Sequence, residues 1–258
     1  MLEGKCIILL LAGIGITMAV TAPEFRNIGD LNNMLVSENT PVGESIFQIR
    51  AYDPDGNALD FTISGDTFRI SPAGVNAQGE TLGDLEVAKI LDRETNPVVR
   101  FDVSITDGLG GHTITHSDIL INVIDYNDNS PQFQGTPYEA RLSENADIGT
   151  SIITVRATDI DSGQNGAVNY QLTSHTDSFE IGQVDGILRL KDRTAIESEQ
   201  QTAYAVTVRA VDGGSQPLAT SVDVFVQITD EQNRAPVWLN EPYEISITEG
   251  TPGSLQAS

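Results

Sequence analysis

Cysteine is the first scarcity. Only Cys6 occurs among 258 residues, and it lies in an apolar N-terminal run, so an exported form lacking that run has no disulfides and must find its stability elsewhere. Bases are scarce too: 14 Lys and Arg stand against 37 Asp and Glu, a formal net charge of −23. Nucleic acid and anionic membrane surfaces both need basic patches on a protein partner, so this excess of acid argues against both and suits cations. The sequence holds no Gly-x-Ser-x-Gly, no phosphate-cradling glycine loop and no catalytic cysteine, and hence no signature of a small-molecule substrate. Two histidines, His112 and His116, would share a face on a strand, but zinc has no evident third ligand there and a solvated strand edge is the simpler reading. No Asn-x-Ser/Thr sequon occurs, so N-glycosylation is not expected.

Long apolar runs are also missing, with one exception. From Cys6 to Ile16 the chain is apolar, preceded by Lys5 and followed by small residues up to Ala22. This fits a secretory signal peptide over residues 1–22, with cleavage after Ala19 or Ala22. The alternative, an uncleaved anchor helix, asks for a span of about 20 residues, and this run is shorter and broken by glycine. Apolar residues make up 39% of the whole, enough for packed cores, and the length suits about two domains.

What is present is a repeat. Glu38 in VSENTPVG corresponds to Glu144 in LSENADIG, 106 residues on, and Glu249 in ITEGTPG follows after 105 more. Asp53 and Asp159 are again 106 apart, Asp107 and Asp212 are 105 apart, and Pro131 and Pro236 are 105 apart. The expected organisation is a first unit over 23–126, a second over 127–231, and the start of a third over 232–258, which breaks off, as in a piece of a longer protein.

Inside each unit the apolar period is two. Phe47, Ile49 and Ala51 recur as Ile153, Val155 and Ala157, and the same alternation runs through Tyr204, Val206, Val208 and Ala210, then Val222, Val224, Val226 and Ile228. Such runs, bounded by Gly, Asp, Asn and Pro, predict half-buried antiparallel strands, and about seven of them per 100 residues predict a β-sandwich. The fold class expected is all-β, as tandem seven-stranded Greek-key sandwiches.

The acids gather where strands should end: Glu38, Asp92 and Glu94 in one unit, Asp125 and Asp128 in the connecting stretch, then Asp159, Asp161 and Asp212 in the next unit. With the units end to end, eight carboxylates face one junction, with DYNDN as connector. Two like charges about 4 Å apart repel by about 1 kcal/mol in water and about 4 kcal/mol at an effective dielectric of 20. A hard divalent cation with six to eight oxygen ligands relieves this, and calcium is the extracellular candidate. Any one of these residues could be an ordinary turn former; the whole set, recurring at constant offsets, points to metal.

At these residues the chain resembles the cadherin superfamily. SEN at Ser37 to Asn39, LDRE at Leu91 to Glu94, DYNDN at Asp125 to Asn129, DID at Asp159 to Asp161 with Asn165 following, and VDG at Val211 to Gly213 look like that family's calcium motifs. The resemblance implies three calcium ions at the first junction. Glu38, Asp92, Glu94 and Asp128 would hold the first. Glu38, Glu94, Asp125, the Tyr126 carbonyl, Asp128 and Asp161 would hold the second. Asn127, the Asn129 and Asn165 carbonyls, Asp159, Asp161 and Asp212 would hold the third. A second junction departs from the pattern: DEQNR puts Asn233 where Asp128 stands, and Glu197 and Glu199 replace the LDRE acids beside Glu144 and Asp230, so weaker binding is expected there. Asp53, Asp55 and Asp107 could hold one ion at the free tip.

By the same resemblance the chain is a calcium-dependent adhesion or recognition ectodomain at the cell surface, not an enzyme. Its partner is expected to be another cadherin-type ectodomain, in cis or in trans, with membrane attachment expected further C-terminal. Only Trp238 occurs as tryptophan, far from the N-terminus, which disfavours exchange of a first strand. The alternatives are a rigid extracellular spacer, or a secreted hydrolase working with paired carboxylates.

Overall fold

The computed structural model describes residues 21–108, 111–194, 196 and 202–229. The first unit contributes β1 (Glu24–Phe25), β2 (Met34–Ser37), β3 (Ser45–Tyr52), β4 (Leu59–Ile63), β5 (Phe68–Val75), β6 (Thr81–Val87), β7 (Val98–Asp107) and β8 (Thr113–Ile124). They form two sheets, β1-β3-β6-β5 and β2-β8-β7-β4. Between β1 and β2 a short 3-10 helix, Ile28–Leu31, buries Ile28 and Leu31, and this plug carries the chain from one sheet to the other. Taken as one interrupted strand, β1 and β2 restore the expected seven. The parallel pairing of β2 with β8, distant in sequence, makes the connection a Greek key rather than a meander.

The second unit repeats this plan with β9 (Gln132–Gln134), β10 (Tyr138–Ser143), β11 (Ser151–Thr154), β12 (Arg156–Thr158), β13 (Asn169–Leu172), β14 (Phe179–Ile181), β15 (Ile187–Leu190), β16 (Ala203–Val211) and β17 (Ala219–Thr229). One sheet is β10-β17-β16-β13, with β10 parallel to β17; facing it are β11-β15-β14 and β9-β12. A single strand is interrupted at Val155, whose N–H donates to the Gly186 carbonyl at 2.9 Å, so β11 and β12 are its two halves.

The period-two pattern places the core. Ile49, Ala51, Val206, Val208, Ala210, Val224 and Val226 are fully buried, while Phe47, Ile153, Val222 and Ile228 are only partly covered at the margins. Gly83 lies where the layers touch: a Cβ there would meet Ile70 Cγ2 at 2.7 Å and Phe61 at 3.1 Å, so no larger residue fits without displacement. His112 precedes β8 and sits 3.4 Å from Asp107 Oδ2, whereas His116 lies in β8 with its ring edge-on to Phe25. The two histidines therefore do not share a strand face, because His112 stays in the turn. Among the described residues, no helix is long and apolar enough to cross a membrane.

Candidate metal centre

Strand β8 ends at Ile124 and β9 starts at Gln132, so the DYNDN connector lies between the units, and side chains from both converge on it. Glu38, just past β2, is buried at 4% exposure. Its Oε1 accepts the Tyr126 N–H at 2.6 Å and its Oε2 the Arg93 N–H at 2.7 Å. One carboxylate thus ties the LDRE loop to the connector.

From the connector, contacts reach the second unit. Asp125 accepts the Ser162 N–H at 2.9 Å and the Asn165 side-chain amide at 2.7 Å. Asn129 donates from its backbone and side chain to the two oxygens of Asp161, at 3.1 and 2.7 Å, and its side chain also reaches Asp128. The Asn127 amide nitrogen donates to Asp212 at 3.2 Å and to the Gln216 carbonyl at 2.9 Å. Asp159 accepts the Asp161 N–H at 3.0 Å, and Asp212 accepts from Gly214 and Leu218. An Asp bonding the N–H two residues on is an Asx turn, which is why DID curls inward at this strand end.

Two triads result. Oxygens of Glu38, Glu94 and Asp128 lie within 4.8 Å of one another, and so do those of Glu94, Asp125 and Asp161. Glu94 is common to both. Burial first, then the Glu38 and Asp161 charges, push the carboxyls of Glu94 and Asp128 above the usual range. Asp159 is raised by burial and by Asp161 and Asp212. These are the signs of acids crowded beyond what water can screen. In the same region the Asn127 Oδ1 and Asp159 Oδ2 are buried with no hydrogen-bond partner. A buried oxygen without a donor is costly, and two of them among carboxylates suit a hard cation with an oxygen shell.

Other expected ligands sit differently. Asp92 stays outside both triads: Thr95 donates to it from backbone and hydroxyl at 2.9 and 2.8 Å, which lowers its pKa and occupies its oxygens. Tyr126 is half exposed, its N–H held by Glu38. At the tip, Asp53 and Asp107 are buried and Asp55 is exposed. Asp53 accepts the Asp55 N–H at 2.7 Å and keeps a buried Oδ2 without partner, but Asp55 turns to the Thr21 N–H at 2.6 Å, so the three do not form a mutually close group like the junction triads. Glu144 is half-buried, its N–H on the Thr229 carbonyl; Glu197, Glu199, Asp230 and Asn233 lie outside the described residues.

Arg93 is the residue that sequence reasoning missed. Its guanidinium pairs with Glu94, its Nε lies 2.5 Å from Asp125 Oδ1, and it donates to the Ile160 carbonyl across the junction at 3.1 Å. Burial opposes its charge, but Asp125 and Glu94 outweigh this and raise its pKa. The signal was available: it is the one base inside the LDRE motif.

Comparison with known proteins bears on the fold and the family. A family model described as the cadherin domain matches residues 138–229. The chain is 31% identical over 262 residues to cadherin-related family member 1 of Mus musculus, covering 96% of this chain and 30% of that protein. To cadherin-23 of Homo sapiens it is 36% identical over 235 residues, covering 89% of this chain and 7% of that one. It therefore spans less than a third of these relatives. Among solved structures, mouse clustered PcdhgC3 EC1-3 superposes with a TM-score of 0.71 at 29% identity, over 81% of this chain and 68% of the other. Human protocadherin-24 EC1-2 gives 0.68 at 24% identity, over 83% and 100%, a likeness of fold alone.

Proposed function

Because this chain is a member of the cadherin superfamily, we propose that it is a calcium-dependent adhesion or recognition ectodomain, stiffened by calcium at its first inter-repeat junction. Cadherin repeats are adhesion modules and not enzymes. The repeats run over 23–126 and 127–231, with a third beginning at 232, and the protein is displayed at the cell surface.

The observation that carries this reading is the pair of carboxylate triads within 4.8 Å, built from both units. Bound calcium supplies positive charge and accepts oxygen ligands only. Glu38, Glu94, Asp125, Asp128 and Asp161 would hold it in the triads, with Asp92 and the Tyr126 carbonyl at their margin. Asn127, Asn129, Asp159, Asn165 and Asp212 would hold it on the far side, where the unpartnered oxygens of Asn127 and Asp159 lie. Glu38 also sets the connector's start through its two backbone hydrogen bonds. At the tip, the unpartnered buried oxygen of Asp53 beside buried Asp107 would hold a single ion, with Asp55 joining it only on leaving the Thr21 N–H. Glu144, Glu197, Glu199, Asp230 and Asn233 form a weaker second junction.

Calcium titration of the tandem, followed by small-angle scattering and thermal melting, tests this. The expected result is a rod with a raised melting temperature in calcium and a looser ensemble in chelator. An unchanged profile and melting point after chelation would overturn it. Bead aggregation with and without calcium separates an adhesive segment from a spacer.

A further inference from the structure

The outer face of the sheet β10-β17-β16-β13 presents two adjacent rows. Strand register aligns Glu139, Phe225 and Ala205 across β10, β17 and β16, and Arg141, Gln227 and Ala203 one step along. All six residues are exposed. Out-facing positions of a half-buried strand are normally polar, as Asp223 and Gln227 are here, yet Phe225 stands 52% exposed between them. Ala203 and Ala205 offer only methyl groups beside it. The consequence is an aromatic knob next to a shallow hollow of ≈ 430 Å³, lined by Glu139, Arg141, Thr202, Ala203, Phe225 and Gln227.

We propose that this face is a docking surface for a second copy of the chain. The inference rests on the adhesion-ectodomain reading and names its partner and its contact. A two-fold axis lying in the interface, perpendicular to the strands and between the two rows, lays each row on the other row of its mate. Glu139 then faces Arg141 of the other copy, and Arg141 faces Glu139, so two ion pairs form at once. Phe225 enters the hollow over Ala203 and Gln227, as isologous contacts require one self-complementary patch. Asp223, one row further and holding the Thr207 hydroxyl at 2.8 Å, falls opposite the row of Ser143 and Thr229 and meets no like charge. Charge argues for this patch in particular: the chain carries −23, but the two rows hold one acid and one base and are neutral. Contacts of this kind, central aromatic and polar rim, suit a weak interface that adhesion multiplies through many copies.

Sedimentation of the chain in calcium tests the proposal. The wild type is expected to show reversible monomer–dimer exchange. Phe225→Ser should weaken dimerisation at least about tenfold, the loss expected of a buried aromatic anchor. Glu139→Arg alone and Arg141→Glu alone should each abolish it by setting like charges face to face. An equimolar mixture of those two variants should associate again, since each then meets its opposite. A wild type that stays monomeric at every concentration, a Phe225→Ser chain that dimerises as before, or a mixture no stronger than its components would each overturn the proposal. Melting the same samples with and without calcium reports separately on the junction, because none of these residues belongs to it. Variants that lose dimerisation but keep the calcium response confirm both readings; unchanged dimerisation with an intact calcium response refutes only the surface.

Discussion

Asp128→Ala separates metal support from protein packing. The Asp128 carboxylate belongs to the Glu38, Glu94 and Asp128 triad, within 4.8 Å, yet the residue is exposed on its outer side and accepts a hydrogen bond from Asn129. At an effective dielectric of 20, unit charges 4.8 Å apart repel by about 3.5 kcal/mol. Removing Asp128 deletes two such pairs, about 7 kcal/mol before discount, and solvent screening at an exposed acid cuts this severely. The sign survives the discount: in chelator the variant should be as stable as the parent or more so. In calcium the sign reverses. A site with a dissociation constant of about 10⁻⁴ M adds about 1.4 kcal/mol at roughly 1 mM calcium. Losing it should lower the melting temperature of a repeat of this size by roughly 5–10 °C. Differential scanning calorimetry of both proteins in calcium and in chelator measures this. Equal destabilisation in the two conditions would falsify the reasoning, since it would make Asp128 a packing residue.

Arg93→Gln should do the opposite, lowering the melting temperature more in chelator than in calcium, because it strips Glu94 and Asp125 of their protein counter-charge; a loss confined to calcium would contradict this. Gly166→Ala should cost roughly 1–3 kcal/mol and weaken calcium binding, because its Cβ would fall 2.1 Å from the Asp161 carbonyl oxygen; Gly29→Ala, with nothing within 4 Å, is the control, and equal behaviour of the two in denaturant melts would count against the close approach. The pH dependence in chelator follows from the raised pKa values of Glu94, Asp128 and Asp159. Their folded forms bind protons more readily than the unfolded chain, so the stability they contribute is full below the ordinary carboxylate pKa of about 4 and disappears as pH rises through the raised values. The chelated tandem should thus melt higher at about pH 5 than at about pH 7, with the gain from added calcium larger at the higher pH. A chelated melting temperature that climbs steadily over that range would refute the assignment.

The sandwich was legible because alternation with period two is a direct projection of a half-buried sheet. Val206, Val208, Val224 and Val226 alternate in sequence and are all buried. The division of the first strand was not legible, since the 3-10 helix that moves it between sheets is held by two residues, Ile28 and Leu31, too few to show a period. The break at Val155 escaped notice for a related reason: it depends on a carbonyl from Gly186, distant in sequence. At the junction, constant offsets exposed the acids but not their partners. Asp92 turned to the neighbouring Thr95 and Asp55 to Thr21, distant in sequence, donors that repeat arithmetic does not weigh. Arg93 stood out as the one base in LDRE, but its role was not legible, because its value lies in bridging Glu94, Asp125 and the Ile160 carbonyl, a relation that only the folded arrangement of two units creates.

That bridge also explains why hydrogen bonds alone leave the junction incomplete. The carboxylates at the junction that accept hydrogen bonds across it take them from neutral donors, while Arg93 pairs with Asp125 on its own side and reaches only the Ile160 carbonyl across it. Neutral donors satisfy lone pairs without changing the charge count. Glu38, Asp92, Glu94, Asp125, Asp128, Asp159, Asp161 and Asp212 bring eight negative charges when ionised, and Arg93 returns one, so the excess is 8 − 1 = 7. Protons relieve part of it as pH falls, as the raised carboxyls indicate. Three calcium ions, the number that the family resemblance implies, carry six positive charges and would leave the junction at minus one. Two ions would leave it at minus three and four at plus one, so three and four come equally near neutrality and the balance excludes only smaller numbers.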